Sequence, residues 1–177
     1  MISRRSIPKV MAATTLVLVS RPQGAALREA QRTSHELRAI GVGNQCLVIN
    51  GTFETDCPED VTAQAMQQRG ASALSASADF INSMPSFIVP LRPINILGIG
   101  GLRVLLDGDA QGKCLRADES GWTPPEMESL ADLVSTIEKQ GHGVIMTMGK
   151  GGVGKTTVAA AIAVMLAKRG HSVHLST

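Results

Sequence analysis

Eight consecutive residues, Gly149-Lys150-Gly151-Gly152-Val153-Gly154-Lys155-Thr156, have the types and spacing needed to wrap a phosphate. Gly149, Gly154, Lys155 and Thr156 satisfy the pattern G-x-x-x-x-G-K-[ST]. The backbone N–H groups of Gly151, Gly152, Val153 and Gly154 must curl around the anion, and side chains there would obstruct its approach. A helix opening near Lys155 and running through Thr157 turns its free N–H groups and positive dipole end on the same anion. In such a loop the Lys155 ammonium sits between β- and γ-phosphates, and the Thr156 hydroxyl ligates Mg2+. The cofactors implied are ATP and Mg2+. The plain alternative is a glycine-rich turn that binds nothing.

Context decides between these readings, because the motif has to follow a buried strand and open a helix. It does both: Val144–Met148 reads as a strand, and 156–169 as a helix with Val158, Ile162, Met165 and Leu166 as core. A further strand is expected over Val173–Leu175. Upstream, Thr15–Val19 is a continuous apolar run, as in a strand covered on both faces of a parallel sheet. Leu27, Ala30, Ser34, Leu37 and Ile40 recur at helical steps and stop at Gly41. Cys46–Ile49 is a second buried strand, ending at Asn50-Gly51. Asp56, with Glu59 three residues on, predicts an N-cap for a weaker helix over 61–68, and the Ala/Ser-rich stretch 70–79 has little to fix it. Ser86–Val89 reads as a short strand, Pro90 and Pro93 as brackets of an irregular loop, and 98–106 as a helical turn or two.

Composition narrows the function. Aromatic residues are only 2% of the 177, with no Tyr, which argues against stacking on nucleic acid. A net charge of +2 without a dense basic run implies no polyanionic partner. Cys46, Cys57 and Cys114 are odd in number and widely spaced, so reduced thiols are expected rather than a disulfide framework or zinc site. Arg4 and Arg5 before Val10–Val19 could pass for a leader. Thr14 and Thr15 interrupt that stretch, which favours a buried strand.

Lys150, directly after the first glycine, gives the form GKGGVGKT. This resembles the deviant Walker A loop of the ATPases related to septum-positioning, partitioning, nitrogenase-iron and arsenite-pump proteins. The resemblance implies that Lys150 reaches across an interface to nucleotide held by another half, a catalytic role beside Lys155. The flanks sharpen it. HGVIMTMGKGGVGKTTVAAAIAVMLAKRGHSVHLST resembles the opening of the second half of the arsenical pump-driving ATPases, and LVLVSRPQGAALREAQRTSHELRAIGVGNQCLVINGTF and VPLRPINILGIGGL resemble the end of their first half. On this reading residues 1–106 are the end of a first nucleotide-binding half, 107–125 a linker and 126–177 the start of a second. The helix expected to open that second half spans 126–140, with Leu130, Leu133, Val134 and Ile137 on one side.

The resemblance implies an α/β fold of P-loop NTPase type, a mostly parallel sheet with flanking helices, present as two incomplete halves. It further implies that Asn50 contacts adenine and Pro90 flanks it, both for the first half's nucleotide, while Lys155 and Thr156 serve the second half's. The parent protein would be a cytoplasmic ATPase, peripheral at the inner membrane through a membrane arsenite efflux channel, and completed by the missing remainder of the ATPase or a second copy. The first half's own P-loop would precede Met1, and the acidic switch segment would follow Thr177. The isolated chain is therefore expected to turn over little ATP. A tail-anchored-protein targeting ATPase and a non-catalytic nucleotide-binding remnant are the competing readings. The three cysteines match none of the family's metalloid ligands.

Overall fold

The computed structural model describes residues 14–92, 96, 98–106 and 128–176. Five strands form one sheet: β1 (Thr14–Ser20), β2 (Gln45–Thr52), β3 (Ser86–Pro90), the two-residue β4 (Glu128–Ser129) and β5 (Val144–Met148). Their order is β4-β3-β2-β1-β5, and every neighbouring pair is parallel. The α/β reading, with a parallel sheet and flanking helices, holds.

All residues of β1 are buried, which is why its sequence up to Val19 is a β-branched and leucine run rather than an alternating one. Successive side chains nonetheless feed different layers. Leu16 and Leu18 join Leu47 and Ile49 under helices α1 (Gly24–Ala39), α2 (Val61–Ser75) and α3 (Ala78–Asn82). Val17 and Val19 join Val48, Phe87 and Val89 under α4 (Gly98–Leu106), α5 (Leu130–Glu138) and α6 (Lys155–Lys168). Phe87, with no exposed surface, anchors the second layer, and burying such a ring contributes about 3 kcal/mol.

The position of β5 matters most for function. It lies beside β1 through five register pairs, from Thr14↔Val144 to Leu18↔Met148. The strand that leads into the glycine-rich loop is thus part of the same sheet as the strands of residues 14–90. Its far edge has no strand partner among the described residues. Val144 and Met146 are about half exposed on that account.

Several local expectations change. The cap of α2 is Asp60, whose side chain accepts from the N–H groups of Thr62 and Ala63 at 3.0 Å each, and not Asp56. An N-cap must sit directly before the first helical residue to reach those donors, and Asp56 is too far upstream. The helix also runs past Gln68 to Ser75, through the stretch expected to lack structure. Gly70, a weak helix former, lies inside this helix and faces Pro22, where an added Cβ would make an ordinary contact at 3.7 Å.

Helix α5 starts at Leu130, behind a reciprocal capping box between Ser129 and Asp132. Of the expected extension, Glu128 and Ser129 are strand, Lys139 and Gln140 lie past the last helical residue, and 126–127 fall outside the described residues. Ile40 is not core; it is the residue after α1 and 65% exposed. Val173–Leu175 is not a strand, because a strand exists only where a neighbour takes up its backbone groups, and both apolar residues are exposed. The linker 107–125, Pro93 and Cys114 lie outside the described residues.

Candidate phosphate-binding loop

The loop leaves β5 at Met148 and crosses the carboxyl end of β1 before α6 begins. Gly149 makes the crossing possible, since a Cβ there would run into the Val19 carbonyl oxygen. Val153 is 3% exposed and belongs to the core cluster of Val19, Val48 and Val89, so the middle of the loop is pinned to the upstream strands. Gly152 (φ 76°) and Gly154 (φ 93°) adopt the left-handed conformation that costs other residues about 1–2 kcal/mol. Around Gly151 and Gly152 a Cβ would meet nothing within 4 Å. The loop therefore leaves open space beside its backbone, as a cradle for an anion requires.

Helix α6 points its N-terminus into this loop. Its first internal bond runs from the Val158 N–H to the Gly154 carbonyl at 3.0 Å. The N–H groups of Lys155, Thr156 and Thr157 accordingly have no partner within the helix and are available to an anion. Lys155 is half-buried and donates from Nζ to the Lys150 carbonyl at 3.0 Å. Its ammonium is thus held inside the loop. Lys150 and Thr156 are exposed and Thr157 is half-buried.

Asn50, at the carboxyl end of β2, is brought to the same place: its Nδ2 donates to the Val153 carbonyl at 2.9 Å. Sequence reasoning assigned Asn50 and the loop to two separate nucleotides and did not foresee this contact. Only Asn-Gly at the end of a strand marked the position, and that dipeptide also signals a simple turn. Pro90 closes β3, opposite Thr52 across a register irregularity. An open groove of about 400 Å3 flanks the loop entrance, lined by Ala25, Glu29 and Thr33 of α1 with Met148, Gly149 and Lys150. It lies where the strand order reverses between β1 and β5, the usual place for ligands in open parallel sheets.

The far end of α6 is tied down by ions. Glu138 of α5 accepts from Arg169 Nη1 at 2.6 Å and lies 2.6 Å from His171 Nε2 through its other oxygen, and Arg169 also donates to Ser135 at 3.2 Å. The hydrogen bond to His171, and then that to Arg169, hold the Glu138 carboxyl below the ordinary glutamate value of 4.5. A depressed carboxyl stabilises the fold above its unfolded value, and that stabilisation is lost as pH falls through the folded value. Glu138→Gln should therefore lower stability at neutral pH and flatten the acid limb, as read by denaturant titrations from pH 7 down to about pH 3. An unchanged acid limb would show the cluster to be energetically idle.

The cysteines offer little to a metal. Burial pushes the Cys46 thiol up to about 12, which keeps it protonated, while Cys57 is exposed. Among the described residues no group of three or more His, Cys, Asp and Glu could hold a metal ion. No described helix is long and apolar enough to cross a membrane.

Known proteins resemble the chain over this segment and beyond it. The model of the anion-transporting ATPase family matches residues 142–177, from the turn before β5 through the loop and α6. An arsenical pump-driving ATPase of Escherichia coli is 46% identical over 165 residues, covering 93% of this chain and 28% of that protein. One from Acidiphilium multivorum is 44% identical over the same shares. The chain thus spans just over a quarter of the length of the curated relatives it matches. Along nearly all of its length it is similar to a stretch of the arsenical pump-driving ATPases, and its loop-bearing segment matches the model of the anion-transporting ATPase family.

Proposed function

We propose that this chain binds Mg-ATP at Gly149–Thr156, as part of an ATPase that energises efflux of arsenite or antimonite. The observation that carries the reading is the loop itself: a glycine-rich turn between a parallel strand and a helix N-terminus, with room at Gly151 and Gly152, inside a family-matched segment. The N–H groups of Gly151 to Gly154 and of the first turn of α6, including Thr157, hold the phosphates. Lys155 trades the Lys150 carbonyl for phosphate oxygens, a charge-assisted bond replacing a neutral one. Thr156, exposed at the first turn, is the residue placed to ligate magnesium carried in with the nucleotide. Bound magnesium neutralises phosphate charge.

Lys150 plays the second part. It is exposed at the loop entrance, where it lines the open groove, which suits a lysine that completes the site of another half or a second copy. Charge supplied in trans to transferring phosphate is worth about 10³–10⁵ in rate in comparable systems. The whole ATPase would act in the cytoplasm, at the inner membrane through an efflux channel as its partner. Pro90 is proposed to flank the base.

Calorimetric titration of the purified chain with Mg-ATP tests the binding reading. Saturable binding that magnesium strengthens, and that in Thr156→Ala is weaker and no longer strengthened by magnesium, is the expected result. A folded chain that takes up no nucleotide would sink it.

A further inference from the structure

We infer that Asn50 is a positioning residue for the phosphate loop, fixing the peptide between Val153 and Gly154 so that the Gly154 N–H faces the anion. The inference rests on the phosphate-loop reading above and adds to it a residue distant in sequence, from a strand ahead of the loop. The Asn50 amide donates to the Val153 carbonyl at 2.9 Å. A trans peptide is planar, with its C=O and N–H pointing in opposite directions. There are no cis peptides among the described residues, so drawing the Val153 carbonyl toward β2 necessarily turns the Gly154 N–H the other way. Gly154 also has a second reason to be glycine: besides its positive φ, a Cβ would run into the Asn50 amide nitrogen.

Three features show that the contact is built into the fold. The pairing of β5 with β1 brings the loop over the ends of β1 and β2. Val153, nearly fully buried in the cluster with Val19, Val48 and Val89, keeps its carbonyl at that spot. Gly51, with φ 80° and a register irregularity between Asn50 and Thr52, bends β2 just past Asn50. A side chain at the end of one strand thus shapes an anion cradle delivered by another, more than a hundred positions downstream.

The test separates loop positioning from base recognition. Asn50→Ala, and the near-isosteric Asn50→Leu should the first not fold, are titrated with Mg-ATP and with magnesium tripolyphosphate, which has neither base nor ribose. Circular dichroism at the titration temperature confirms that each variant is folded. Both ligands should weaken by the same factor, about five- to tenfold, the effect of one lost hydrogen bond. Weakening of ATP alone would overturn the inference and make Asn50 a base contact. Unchanged affinity for both, with only the melting temperature lowered, would overturn it in favour of a purely architectural role. A wild-type chain that binds neither ligand would bring down the phosphate-loop reading itself, and this inference with it.

Discussion

Replacing Lys155 by alanine should abolish measurable Mg-ATP binding, by roughly a hundredfold or more, while leaving the fold intact. Hydrogen bonds to charged groups contribute about 1.5–3 kcal/mol each, and a lysine between two phosphates makes more than one. The cost to the ligand-free protein is small, because the side chain is half-buried and its bond there goes to the Lys150 carbonyl alone. Melting temperature and circular dichroism should therefore match the wild type. Lys150→Ala provides the contrast. Lys150 is exposed, so nucleotide binding by the single chain should change less than about threefold, within the range of ordinary surface substitutions. A Lys155→Ala chain that binds ATP within threefold of wild type would show that phosphates do not lie in this loop.

Gly149→Ala should be the most damaging single substitution in the loop. The added carbon would collide with the Val19 carbonyl oxygen, which belongs to the backbone and has no flexible end to give way. Relief requires β5 and β1 to separate at their carboxyl ends, where Leu18 pairs with Met148. Overpacking of this kind costs on the order of 3 kcal/mol, a large fraction of the stability of a small domain. Urea denaturation should show that loss, accompanied by loss of ATP binding. Gly151→Ala provides the reference, since nothing lies within 4 Å of a Cβ there. It should leave stability nearly unchanged. Equal stabilities for the two variants would mean that the loop does not press on β1 as described.

The parts legible in the sequence were those fixed by local chemistry. The uninterrupted apolar runs at Thr15–Val19 and Cys46–Ile49 could be read as strands covered on both faces, and both are. The phosphate loop was legible because its glycines, lysine and threonine recur in a fixed order between strand and helix. The full length of helix α2 is not legible in the sequence because only Leu74 among its residues is buried, leaving almost no apolar period to follow. Its interior glycine, Gly70, faces Pro22, a partner far away in sequence. The pairing of β5 with β1 and the bond from Asn50 to Val153 were invisible for the same reason. Neither leaves a trace in the spacing of neighbouring residues. The apolar alternation at Val173–Leu175 misled in the opposite sense, since it signals a capacity to pair that no described neighbour takes up.

The place of β5 in the sheet also dictates an order of events in folding. Thr14 must find Val144, so this pairing has a far greater contact order than that of β1 with β2, where Leu16 meets Gln45. Closing the longer span costs more chain entropy and is correspondingly slow. During synthesis β1, β2 and β3 leave the ribosome before β5 and can assemble with α1 to α3 ahead of the strand that bears the loop. Until that strand arrives, the inner edge of β1 stays open to any other strand that reaches it. Nucleotide affinity would then appear only at the end of folding, and ATP added during refolding should capture the finished sheet without speeding its assembly.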